Sequence, residues 1–188
     1  MTRRLRIEDL PERPPEVQRK LSTFGDAVRA TDDLGAVIRA HIHVEHELIA
    51  YIEARLKPDG LLAHLDKHFE LDYDRRVKLA LAVGLDAKFK SALTYLGRVR
   101  NQFAHRLEAT LSVASMREFY KALDPTIKKL VQEQRPEPLQ RFSMAQRDAR
   151  TQFNLIAIAL WTALLVENQK DGILRQLEQR SAKTADTR

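Results

Sequence analysis

The sequence predicts an all-helical fold, and three observations carry that prediction. Apolar residues recur at spacings of three and four along the chain. Only 6 glycines and 7 prolines interrupt its 188 residues, and no alternating strand-turn-strand rhythm is found. With 44% hydrophobic and 31% charged residues, the chain has enough apolar surface for one core beneath a well-solvated exterior. A single helical domain is expected over residues 17–180, with a flexible arm at 1–16 and a flexible tail at 181–188.

The arm is read from Pro11, Pro14 and Pro15 set among charges. Val17 to Ala30 has the pattern of a first helix. Asp32 or Asp33 is placed to cap a long second helix running to about Leu56, which the segment Lys57-Pro58-Asp59-Gly60 ends. Leu61 to Phe69 reads as a short helix, and Tyr73 to Val83 as another that Gly84 stops. Asp86 is placed to cap a helix from Ala87 to about Arg106. Ser112 opens the next helix, which Pro125 breaks at Asp124 because the residue before a proline is pushed out of the helical region. Arg135-Pro136-Glu137-Pro138 is a connector. Ser143 with Gln146 three residues on has the form of a capping box, expected to start a long helix to about Lys170. Asp171-Gly172 is expected to end it, and Ile173 to Gln179 to form a last short helix.

Several function classes are excluded by composition. There are no cysteines, so neither disulfides nor thiolate metal sites nor thiol catalysis is available. Met1 to Leu10 is basic but no apolar signal core follows it. The most hydrophobic run, Leu155 to Val166 with Trp161, is shorter than the roughly 20 residues that span a bilayer, and reads as a buried core helix or a subunit interface. A cytoplasmic protein with no membrane association is the expectation. The net charge of +6 suits a polyanionic partner, although 26 acidic residues lie among the 32 basic ones. Arg147, Arg150 and the pairs Arg75-Arg76 and Lys128-Lys129 fit equally well as a solvated face.

Two helices carry polar residues where apolar ones are expected. In the second helix the stripe Leu34, Ile38, Leu48, Ile52 and Leu56 is continuous only if His41 and Glu45 belong to it. A buried charge without a partner costs several kcal/mol, so this pair either satisfies itself within the core or lines a polar site between helices. His41, His43 and His46 lack the i, i+4 spacing that lets a helix grip a metal, and no metal or other cofactor is expected. The later helix has a cleaner stripe of Leu96, Val99, Phe103 and Leu107. Arg100 falls about 40° from Leu96 on the flank of that face, and His105 about 180° from it. An ideal helix therefore separates these two, and only arginine's reach, a distorted helix end or a second subunit brings them together.

Arg100-Asn101-Gln102-Phe103-Ala104-His105 places an arginine, a polar residue right after it, and a histidine after an interval of four. This pattern resembles the arginine-to-histidine motif of the HEPN superfamily. Thr31-Asp32-Asp33-Leu34-Gly35-Ala36, the block Asp74 to Leu85, and Leu96 to His105 resemble, in that order, the mannitol operon repressor family. The likeness covers about residues 30–110. It implies a HEPN-like helical bundle, here with additional C-terminal helices, that dimerises. It also implies Arg100, Asn101 and His105 as catalytic residues of a metal-independent endoribonuclease of toxin or defence type. Glu45, His46 and Arg98 would support them.

The chemistry suits those residue types. An imidazole can take a proton from a ribose 2′-OH or give one to a 5′-oxygen, and a guanidinium offers two parallel hydrogen bonds to a phosphate. Two departures matter. Leu107 stands where toxin members commonly carry a tyrosine two residues after the histidine, and the mannitol-repressor branch is associated with regulation. The alternative is therefore a non-catalytic transcriptional regulator working through protein contacts. A homodimer, RNA, and a protein partner of antitoxin or regulator type are the expected partners. A third reading has Arg100 and His105 simply bracing the bundle.

Overall fold

Two long helices running side by side organise the molecule. The computed structural model describes residues 15–29, 32–56, 59–106, 108–133 and 147–185, and among these every regular element is helical. The elements are α1 (Pro15–Arg29), α2 (Asp33–Glu53), α3 (Leu61–Phe69), α4 (Tyr73–Ala82), a 3₁₀ turn (Ala87–Phe89), α5 (Lys90–His105), α6 (Val113–Ala122), α7 (Pro125–Glu133) and α8 (Ala149–Ala185). The packing centres on α2 and α8. The second of these also takes α1, α6 and α7, while α2 takes α1, α3, α4 and α5.

Local chemistry sets most boundaries. Asp32, Asp72 and Ser112 each sit in extended backbone and accept a hydrogen bond from the amide three residues on, at Gly35, Arg75 and Ser115. Gly84 takes a φ of 105° just after α4, a conformation a residue with a Cβ reaches only with strain. Pro125 separates α6 from α7. It stands at the first position of α7, where a missing amide hydrogen costs nothing.

The structure corrects several sequence expectations. Pro15 belongs to the first turn of α1, so the arm cannot extend to residue 16; residues 1–14 lie outside the described region. The second helix closes at Glu53 and not at Leu56. Ala87 starts a 3₁₀ turn capped by Asp86, and the α-helix proper begins at Lys90. The last long helix starts at Ala149, where the Asp148 carboxylate accepts from the Thr151 amide at 2.9 Å. Ser143, Gln146 and the 135–138 connector lie outside the described residues. Gly172 does not end α8, and 173–179 is no separate helix, because α8 continues to Ala185. One glycine costs a helix only about 1 kcal/mol. That also shortens the expected tail at 181–188, of which 186–188 are outside the description.

Buried side chains from all parts of the bundle form one core. Trp161 of α8 packs on Phe24 of α1 with ring centroids 5.1 Å apart, and Phe119 of α6 lies between Tyr95 and Phe153. Ala149–Lys170 is in fact long and apolar enough to cross a membrane by length and composition, contrary to the estimate from the shorter run. Yet 67% of its most apolar window is buried inside the bundle, and Trp161 is 2% exposed.

Polar ties hold α2 against α8 near both ends. At the start, Asp33 accepts from Arg150 Nε at 2.8 Å and from the Leu111 amide at 3.0 Å. Further along, Asn168 Nδ2 donates to the Glu47 carbonyl and carboxylate, each at 2.9 Å. The order of these pairs means that α2 and α8 run in the same direction. Arg150 is thus a structural residue and not merely part of a solvated face, and Arg147 is 7% exposed.

Candidate functional site

The motif helix is fixed in rotation by what it buries. Leu93, Leu96, Val99 and Phe103 face the core, and Gly97 lets α4 come close. A Cβ at Gly97 would stand 2.9 Å from the Tyr73 ring, inside van der Waals contact. Tyr73 is itself anchored, its hydroxyl donating to the Leu93 carbonyl at 3.1 Å. With that face locked, Arg98, Asn101 and His105 are exposed and Arg100 is half-buried on the flank. This is the distribution the helical angles predict. Leu107, the expected end of the stripe, lies outside the described residues.

Arg100 does not stay on its flank. Its NH1 donates to Asn101 Oδ1 at 2.9 Å, which turns the guanidinium toward the exposed side. Asn101 and His105 are one turn apart and share a face. The Arg100–Asn101 bond thus holds the guanidinium beside a residue of the face that also carries His105.

Near Arg100 lies a polar cluster drawn from three helices, buried at His41 and Tyr73 and part-buried at Glu45, Arg76 and Asp66. His41 is 3% exposed, and its ring lies 4.3 Å from that of Tyr73. Its Nδ1 stands 3.6 Å from Glu45 Oε2, while Nε2 is buried without a hydrogen-bond partner. Glu45 accepts from Arg76 NH1 at 2.6 Å, and Arg76 NH2 reaches both Asp66 oxygens at 3.2 Å. Arg76 therefore ties α2, α3 and α4 together. Burial pushes His41 down to about 4; the Glu45 carboxylate opposes this and the Arg100 charge reinforces it. Burial raises the Tyr73 phenol well above its usual value, and Glu45 adds to the rise.

The cluster revises the role of two expected supporting residues. Glu45 is committed to Arg76 and His41, so it shapes the ground near Arg100 instead of reaching Arg100 itself. His46 is exposed. The stripe predicted for α2 is also rotated: Leu34 is 48% exposed, and the core face is Val37, Ala40, His41, Val44, Leu48, Tyr51 and Ile52. The sequence offers two apolar stripes on α2, and the bundle takes the one where Ala36 and Ala40 allow close approach. His41 belongs to it and Glu45 flanks it.

The three histidines of α2 diverge. His41 meets Tyr73, His43 packs on Phe24 with centroids 4.8 Å apart, and His46 faces outward. Sequence reasoning missed Tyr73 and placed Arg76 on a solvated face. Gly97 was the available signal for the first, since a glycine inside a helix marks a close neighbour. No protein-family model, curated protein or solved structure matches the chain.

Proposed function

We propose that the protein acts on RNA as a HEPN-like, metal-independent endoribonuclease, with Arg100, Asn101 and His105 as its working residues. One observation carries this reading. Asn101 and His105 are exposed on one face at the end of α5, and the Arg100 guanidinium is bonded to Asn101. A histidine that only braced the bundle would be buried, and His105 is not.

The reaction balances with these groups. A base removes the ribose 2′-proton, the 2′-oxygen attacks phosphorus, and the bond to the 5′-oxygen breaks as that oxygen gains a proton. The products are a 2′,3′-cyclic phosphate and a 5′-hydroxyl. His105 supplies one proton carrier, and a homodimer supplies a second copy of it. Arg100 holds the non-bridging oxygens through charge-assisted hydrogen bonds, and Asn101 Nδ2 is placed to donate a further one.

The test is cleavage of varied RNAs by the purified protein in the presence of EDTA. His105→Ala is expected to abolish cleavage and leave the melting temperature almost unchanged, since an exposed side chain opens no cavity. Wild-type cleavage no greater than the His105→Ala background removes the nuclease reading. The regulator acting through protein contacts then takes its place, favoured by Leu34 and Ile42, which are 48% and 51% exposed on α2.

A further inference from the structure

Residues 87–107 form the longest acid-free stretch of a chain that has 26 acidic residues. Asp86 and Glu108 bound it, and it carries Lys88, Lys90, Arg98, Arg100 and Arg106. It coincides with α5 and its flanks. Among the described residues, each of the other seven helices contains at least one aspartate or glutamate. The stretch is not a core helix spared charges for packing, because its outer side is polar.

Lys90, Ser91, Arg98, Asn101, Gln102 and His105 are all exposed. At 100° per residue they fall within a wedge of about 120°, and the helix carries them along roughly 22 Å. Every one can donate a hydrogen bond or bear positive charge. Tyr95, at the edge of the wedge, is turned inward. Its hydroxyl donates to the Ser115 carbonyl at 2.8 Å and its ring stacks on Phe119. The ridge therefore offers no aromatic platform for bases.

We infer that this ridge of α5 holds a single-stranded RNA by its sugar-phosphate backbone, with Lys90 and Arg98 as the phosphate contacts that lead the strand to His105. The inference rests on the nuclease reading and adds the substrate class. Cations and neutral donors with no carboxylate among them fit phosphates and sugars, and an A-form duplex keeps its deep groove too narrow for a helix. Binding is accordingly insensitive to base sequence and weakened by salt.

Fluorescence anisotropy tests it, with labelled 2′-O-methyl oligoribonucleotides of about 12 nucleotides, which the 2′-OH route cannot cleave. Sequences are varied and a duplex of the same strand is included. The variant Lys90→Glu/Arg98→Glu is compared with Lys121→Glu/Lys129→Glu, which makes the same charge change at exposed positions on α6 and α7. Circular dichroism checks that both fold, and Arg98→Gln serves as a milder substitute if the first does not. The ridge variant is expected to lose about tenfold or more in affinity, with a shallower salt dependence, while the control keeps wild-type affinity. Equal losses in both variants, or duplex bound more tightly than single strand, overturn the ridge and leave the nuclease reading standing. If the wild type binds none of these strands, both fall.

Discussion

At His41, burial and a neighbouring guanidinium act in the same direction, and the consequence is a pH dependence with a definite sign. The ring titrates near 6.5 when free and at about 4 in the folded chain. Below pH 6.5 the unfolded chain takes up a proton that the folded chain refuses, so acid favours unfolding. Stability from this group is whole above pH 6.5 and is lost as the pH falls toward 4. Glu45 softens the effect but is shared with Arg76, and Arg100 lies close enough to repel a second cation. Thermal melts from pH 7 to 4 are expected to show a steep decline that becomes shallower in His41→Gln. Parallel curves for the two proteins would remove His41 as the cause.

The contact between α4 and α5 is set by the smallest side chain available. Gly97→Ala places a methyl group 2.9 Å from two Tyr73 ring carbons, and Tyr73 cannot swing away without losing its bond to the Leu93 carbonyl. Overpacking of this kind costs roughly 1–3 kcal/mol, against a gain of about 1 kcal/mol in helix propensity. Net destabilisation in urea titration is the expected result; a net gain would mean that the Tyr73 ring yields easily. At this scale the sequence was most legible where chemistry is local. Leu61 to Phe69 was bounded correctly because a glycine turn precedes it. Asp32, Ser112 and Pro125 act on their own neighbours, so their signals survive folding. Three things were hidden, two of them because they depended on partners distant in sequence. The rotation of α2 was decided by which of two apolar stripes its neighbours could approach. The passage of α8 through Gly172 defeated a weak breaker. The three-helix bond of Arg76 joins residues from 45 to 76, and the pair Arg75-Arg76 alone suggests only charge. The exposure of Asn101 and His105 and the flanking place of Arg100 were legible in the helical angles, but the bond from Arg100 to Asn101 was not, because it depends on a rotamer.

A prediction of two-fold symmetry belongs to the scale of the whole molecule. On the proposed reading the chain is a homodimer with the end of α5 at or near its axis, so that two copies of His105 serve one phosphate. Light scattering at micromolar concentration is expected to give twice the chain mass of 21.7 kDa, and a mass of one chain would count heavily against the shared site. The central place of α8 has another consequence, which concerns synthesis. Phe24 of α1 waits for Trp161 of α8, and Phe119 of α6 waits for Phe153. At ordinary rates of translation Phe24 emerges on the order of ten seconds before Trp161, and Phe119 a few seconds before Phe153. Until then the nascent helices expose the apolar faces that α8 will cover, and invite chaperones or proteases. A chain cut short before Ala149 never covers those faces at all. The arrival of α8 is therefore the step that turns a chain with open apolar faces into one with a closed core.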